Sequence, residues 1–295
     1  MMTSCLASLP PAPRRKSRKK PRRPYAPPKV YEHLHMLPDY LAMDMDVVFC
    51  GINPGCTSAN TGHHYAHSTN HFWLCLHESG LTERLLSPSD DWTLPSRYNY
   101  GLTNLVDRPS AEQSELSRHE MRQGTPTLLE KIAKYRPRIV CFLSKTIWEV
   151  FRQETSCLHL KALEDQPSTP KDKHYLRSTS PTKPVRSRFF PFPQDSTGNT
   201  EDDSAAQAAG SQPAARPHSY KFVWGPQPFK VVHDVSDEST VCETLFYVVP
   251  SPSARVVRYQ WWHKVEFFAD LRAYISKSKA DEVDTSTMTV ITGQT

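Results

Sequence analysis

Asp46-Val47-Val48-Phe49-Cys50-Gly51-Ile52-Asn53-Pro54-Gly55 is the stretch that decides how this chain folds. The run ending at Cys50 is short and apolar, and reads as a buried β-strand reaching the carboxyl edge of a sheet. In open α/β sheets that edge is where ligands sit. Gly51 and Gly55 permit a tight turn and close approach of a ligand to the backbone, while Pro54 fixes φ and removes a donor. Asn53 is therefore carried on a stiff loop above a cleft, where it accepts and donates hydrogen bonds without titrating. A G-x-N-P-G loop is weakly specific alone, so its meaning depends on the remainder of the chain.

Working outward, Asn70–Ser79 sets Phe72, Trp73 and Leu76 on one helical face and stops at Gly80. Ser117-Arg118-His119-Glu120 has capping-box spacing and opens a helical stretch toward Tyr135, with Leu128, Leu129 and Ile132 as its inner stripe. Pro126 is expected to kink or split that stretch, and Arg136-Pro137 to end it. Arg138–Leu143 reads as a second buried strand, with Ser144 capping a helix whose apolar face is Ile147, Trp148 and Phe151. Further strands are expected at Phe229–His233 and Thr244–Val249. A last amphipathic helix, from about Gln260 to Ser276, turns Val265, Phe268, Leu271 and Ile275 inward. Alternating β and α elements predict a mainly parallel sheet covered by helices on both faces.

The 295 residues suffice for one sizeable domain with appendages or two small ones. Hydrophobic content is only 38%, but the deficit is concentrated in particular tracts. Residues 1–28 are basic and proline-rich and are read as a disordered tail: eight Lys/Arg lie between Arg14 and Arg23, and no acid precedes Glu32. That block suits nuclear import, a DNA-backbone arm, or both, the bland alternative being a solvated tail. Residues 164–219 are read as a disordered insertion, with prolines at 167, 170, 181, 184, 191, 193, 213 and 217 among Ser, Thr and Gln. Arg188–Phe192 within it is either a docking motif or an aromatic cluster in a linker. The expected organisation is thus one domain from 29–163 and 220–276, with a polar tail at 277–295.

Seven cysteines at 5, 50, 56, 75, 141, 157 and 242 form no CxxC pair and read as reduced, mostly buried thiols of an intracellular protein. No segment is apolar and long enough to span a bilayer, so no membrane partner is expected. His63, His67 and His71 have i, i+4 spacing, but Gly62 and Ser68-Thr69 oppose a continuous helix and no nearby carboxylate completes a metal set. No metal or other cofactor is expected.

Four segments carry the chemistry: Gly51–Gly55; Gly62–Tyr65 with Asn70–Trp73; Gly101–Asn104; and Pro250–Arg255. Three of them read as loops at the ends of strands or helices, rich in amides and hydroxyls and poor in acids. There is no GxSxG and no GxxxxGK[ST], which removes support for elbow-type acyl hydrolysis and Walker-loop phosphoryl transfer. A site built of amides can position water, recognise a planar amide-like ligand and stabilise a departing anion.

In this order the segments, with Tyr135-Arg136-Pro137-Arg138-Ile139, resemble the mismatch-specific uracil/thymine DNA glycosylases, the thymine-DNA glycosylase branch of the uracil-DNA glycosylase superfamily. The resemblance covers about 46–163 and 220–275. It implies a three-layer α/β/α sandwich with a short, roughly four-stranded, mainly parallel sheet, and metal-free excision of uracil or thymine opposite guanine. Asn53 matches the residue that positions the attacking water. Ile52 (through its main chain) and Asn104 match the base pocket, Tyr65 an aromatic pocket wall, and Asn70 a position near the deoxynucleotide. Ser251 and Ser253 match phosphate contacts, Ala254 and Arg255 the wedge that enters the duplex, and Lys145 a further phosphate contact.

Several departures accompany the match. Sister enzymes with fast turnover carry a histidine in an HPSP-type loop; here it reads Val249-Pro250-Ser251-Pro252, which implies slow chemistry favouring better leaving groups. Ser58 and Ser110 stand near positions that influence tolerance of the thymine methyl, and His67-Ser68-Thr69 replaces a Pro/Gly-rich approach. The implied protein is a nuclear, monomeric, monofunctional glycosylase whose partners are duplex DNA with G·U or G·T mispairs and the abasic product. The rival readings are a catalytically silent DNA binder and a small-ligand α/β protein.

Overall fold

The structure, a computed structural model, describes residues 24–164, 220–235 and 239–291. The chain divides into one unit of residues 1–165 and 223–295 and a second of 166–222. The basic block and the Pro-rich insertion, including Arg188–Phe192, lie outside the described residues.

In chain order the first unit runs β1 (Val47–Gly51), α1 (Cys56–Thr61), α2 (Phe72–Glu78), α3 (Leu94–Tyr98), β2 (Tyr100–Asn104), α4 (Arg118–Tyr135), β3 (Ile139–Phe142), α5 (Lys145–Glu164), β4 (Gly225–Val232), β5 (Glu243–Val248), α6 (Trp261–Lys279) and β6 (Thr289–Val290). The sheet order is β2-β1-β3-β5-β4-β6. Neighbours among β2, β1, β3 and β5 are parallel, β4 runs antiparallel to β5, and β6 joins β4 in parallel. The sheet thus has six strands rather than about four. Both extra positions follow the insertion, where the short apolar signals of β4 and β6 say little about pairing.

Strand alternation builds two cores, because successive side chains point to opposite faces. Val47 and Phe49 of β1, with Ile139, Cys141, Leu245 and Tyr247, face α2, α3 and α6. Phe142 and Phe246 point the other way and meet Trp148 and Phe151 of α5 at centroid separations of 5.1–5.6 Å, Phe142–Phe246 itself being 6.0 Å. The result is the α/β/α layering expected from the alternating elements.

The Ser117 capping box forms: its Oγ accepts from Glu120 N at 3.1 Å, and Ser117 N donates to Glu120 Oε2 at 2.8 Å. α4 then continues through Pro126 as a single helix, so the expected split does not occur. Gly124 explains how closely α4 packs: a Cβ there would meet the Leu105 carbonyl oxygen at 1.9 Å. Gly101–Asn104 is most of β2. At the termini the boundaries also shift. Ala26 already donates to Glu115 O at 3.2 Å, inside the segment read as tail. The segment read as a polar C-terminal tail carries the end of α6 and β6, and Ile291 N donates to Lys230 O at 2.7 Å.

Candidate active site

Register explains why segments so far apart in the chain meet. Gly51 pairs with Asn104, Cys50 with Phe142, and Phe142 with Val248, so all four parallel strands end at one edge. β1 is flanked by β2 on one side and β3 on the other, and a cleft opens where the strand order reverses. Its volume is about 870 Å³. Ile52, Asn53, Tyr65, Asn70 and Asn104 all line it, and Lys145, Ser251, Ser253, Ala254 and Arg255 stand on the same cleft. Every residue to which the resemblance gives a site role therefore stands on one surface.

Asn53 is half-buried, and its Nδ2 donates to Arg108 O at 2.9 Å, Ser110 Oγ at 2.9 Å and Pro54 O at 3.2 Å. With the nitrogen fixed by acceptors, Oδ1 is the atom left over, and it accepts no hydrogen bond from the described residues. The side chain thus offers the cleft an oriented acceptor for a water proton. The loop opposite is itself anchored. Ser110 N donates to Pro54 O at 3.1 Å. Arg108 Nε donates to Glu120 Oε1 at 2.7 Å, and its Nη2 to Ala26 O at 3.0 Å and Glu115 O at 3.1 Å. Burial works to raise the Glu120 carboxyl, but the bonds from Arg108 and Ser117 hold it below the ordinary range. Asn53 is thereby tied through Arg108 to the N-terminus of α4.

The neighbouring amide is free. Asn104 is 7% exposed and its side chain bonds to none of the described residues, so its donor and acceptor face the cleft. Tyr65 stands beside it with φ +55°, a left-handed conformation costly for a bulky residue. Both flanks hold it there. His64 N donates to Asp91 Oδ2 at 2.9 Å, Trp73 Nε1 donates to His64 O at 3.2 Å, and Ala66 N donates to Ser58 Oγ at 3.0 Å. The Tyr65 ring lies 4.1 Å from that of Phe72, and its buried hydroxyl has no partner among the described residues. Burial raises that phenol well above its usual range, so it remains a neutral donor. A Cβ at Gly51 would stand 2.5 Å from Asn104 Oδ1 and 2.9 Å from Tyr65 Oη. Only glycine lets these two groups close over the strand end.

Asn70 is partly engaged: its Oδ1 accepts from Phe72 N at 3.0 Å, a local turn just ahead of α2. Lys145 opens α5 and pairs with Glu149 at 3.4 Å. After β5, Ser251 Oγ accepts from Ser253 N and Ser253 Oγ from Arg255 N, both at 3.3 Å. Arg255 reaches across the mouth to Glu112 Oε1 at 2.9 Å and Ala111 O at 3.1 Å.

The three spaced histidines have separate employment. His63 meets Asp91 at 3.1 Å, His67 Nδ1 lies 3.0 Å from Thr69 Oγ1, and His71 Nδ1 faces Lys264 at 3.4 Å. No group of three His, Cys, Asp or Glu side chains able to hold a metal occurs among the described residues. Nor is any described helix long and apolar enough to cross a membrane. Buried Cys75 and Cys141 are free thiols raised by desolvation, Cys75 to about 12, and are inert packing groups.

The family model of the uracil DNA glycosylase superfamily matches residues 38–272, which spans the whole sheet edge just described. The chain belongs to that superfamily. It is accordingly a DNA glycosylase, a hydrolase of DNA repair, and DNA is its partner. Four residues around this site carry no site role in the sequence reading. Asp91 and the Arg108–Glu120 pair act only through contacts between distant segments. Lys264 had a visible signal, because 264, 268, 271 and 275 form one helical stripe with a lysine at its head.

Proposed function

We propose that this superfamily member is a monofunctional, mismatch-specific glycosylase that removes uracil or thymine opposite guanine and leaves an abasic site. The carrying observation is Asn53: its nitrogen is fixed by Arg108 O and Ser110 Oγ, and its oxygen faces the cleft. A base within a duplex cannot be reached, so the nucleotide rotates out at a cost of a few kcal/mol, less when the pair is mismatched. Arg255 and Ala254 fill the vacated space, while Ser251, Ser253 and Lys145 take phosphates beside the lesion. In the pocket the base lies against Tyr65, with Asn70 near the deoxyribose and the Asn104 amide on its polar edge. The C1′–N1 bond breaks with its electron pair going to the base. Asn53 Oδ1 holds a water whose oxygen adds to C1′ and whose proton is released, and Asn104 with the main chain at Ile52 steadies the base anion.

No lysine or other amine nucleophile stands among the cleft groups assigned to C1′, which supports hydrolysis without strand cutting. The absence of histidine from Val249–Pro252 supports slow turnover, fastest on bases whose anions are more stable. The basic block at Arg14–Arg23 supports nuclear placement and a phosphate-binding arm. Duplexes carrying G·U, G·T or A·U and single-stranded uracil DNA, followed by alkaline cleavage, test the reading. Product is expected with G·U, weaker with G·T, and strongly slowed with Asn53→Ala. Tight binding without product from any substrate would make the protein a silent binder and overturn the enzyme.

A further inference from the structure

Lys264 is fully buried, with 0% of its surface exposed, and no carboxylate lies within ion-pair distance of it among the described residues. Burying an ammonium without a counter-charge is costly, and most proteins avoid it. The location is informative. Nζ donates to Ser253 O at 2.8 Å and stands 3.4 Å from His71 Nδ1, while His71 N donates to Pro252 O at 3.0 Å. The head of α6 and the head of α2 thus hold two successive carbonyls of the loop that carries Ser251, Ser253 and Arg255. Lys264 does not line the cleft, so it is no candidate nucleophile.

We infer that Lys264 is a positioning residue of the DNA-gripping loop, and that its unpaired charge is completed by the phosphate seated on Ser251 and Ser253. This rests on the glycosylase reading and adds where the site's binding charge comes from. The loop has no acid from Pro250 to Val265, so nothing within it competes with the phosphate. Of the titratable groups that face the ammonium, His71 and Cys75 belong to α2 and are neutral near pH 7: desolvation and the adjacent charge lower His71, and desolvation raises Cys75. On α6, His263 and Glu266 flank it in sequence. Desolvation lowers Lys264 itself below the ordinary lysine range. An arriving phosphate favours the charged form and raises it again. Binding therefore takes up protons at pH values between the free and bound titration points, and affinity falls as pH rises through that window.

The test uses the full-length protein and a duplex containing a stable abasic-site analogue. Lys264→Met removes charge and bond; Lys264→Gln keeps a donor toward Ser253 O and removes only charge. Lys264→Met is expected to weaken binding about tenfold and to reduce the salt slope by up to about 0.9, the counterion release that goes with one neutralised phosphate. Its Tm should be unchanged or raised, because removal of a buried charge relieves desolvation. Lys264→Gln should show the same loss of slope. Wild-type binding, followed by calorimetry in buffers of different ionisation heat at alkaline pH, should take up protons, which decides the matter even if both variants fail to fold. Unchanged affinity and slope, or no proton uptake by wild type, overturns the inference while leaving intact any excision that depends on Asn53. If wild type excises nothing, the glycosylase reading itself is what has failed.

Discussion

The loop after β1 is fastened along its length, whereas the loop after β5 is fastened at its root and open at its tip. From Gly51 to Pro54, three main-chain carbonyls accept from Leu105, Val106 and Ser110, and the Asn53 amide adds two bonds of 2.9 Å. After β5, Pro252 and Ser253 are held through their carbonyls, but Arg255 and Val257 are 64% and 75% exposed. One edge of one sheet thus carries a rigid end and a pliant end. Hydrolysis requires a water aimed to within fractions of an ångström, and entry into a duplex requires a side chain free to change partners. The division predicts that changes in the first loop alter rate and changes in the second alter binding.

Asn53→Ala tests the rigid end most severely. Loss of one preorganised polar group in an active site slows catalysis by about 10²–10³. Single-turnover excision should fall by that factor while affinity for abasic DNA changes by less than about threefold. A comparable loss of affinity would mean that Asn53 grips DNA instead of directing water, and the contrast between the loops would fail.

Gly51→Ala is next. Its methyl would displace Asn104 and Tyr65, whose polar atoms would otherwise lie at 2.5 and 2.9 Å. A displacement of about 1 Å at such a site costs about 10² in rate. The variant should fold, since the strain falls on two side chains rather than on the sheet, and a circular dichroism spectrum matching wild type would check this. Excision at wild-type speed would show that neither group touches the base.

Much of this site was legible in the chain. The pairing of an apolar run with Gly51–Gly55 marks a strand end, and Gly101–Asn104 and Pro250–Arg255 could be matched to it because each is a compact local motif. Most of what remained hidden has no local signature. Asp91 accepts from His64 N, 27 residues away in the chain, and so holds the flank of Tyr65. Arg108 looks like a surface charge until Glu120 and Ala26 are brought beside it. A hydrophobic residue is the usual head of an apolar stripe, which favours Val265 over Lys264 in the sequence, yet Val265 is the less buried of the two. The antiparallel β4 and the two-residue β6 were illegible as partners because pairing depends on what lies beside a strand, not on its own residues.

The smallest effect belongs to the pliant end, at the contact between Glu112 and Arg255. The pair is exposed on its arginine side, 64% against 29%, and such pairs contribute about 0.2–1 kcal/mol. Glu112 does two things in the free protein: it holds the wedge across the cleft mouth, and it presents a negative charge where phosphates must arrive. Glu112→Gln removes both and keeps the side chain's size. Affinity for mismatched duplex should rise by about 1.5- to 5-fold, the increase shrinking as salt is added because exposed charges are screened. Excision at saturating DNA should not move, since Asn53 and its partners Arg108 O and Ser110 Oγ are untouched. An increase that persists undiminished at high salt would point instead to a steric gate at this position. A fall in affinity would show that Glu112 steadies Arg255 in the orientation DNA requires, and the tip of the second loop would then be as preorganised as the first.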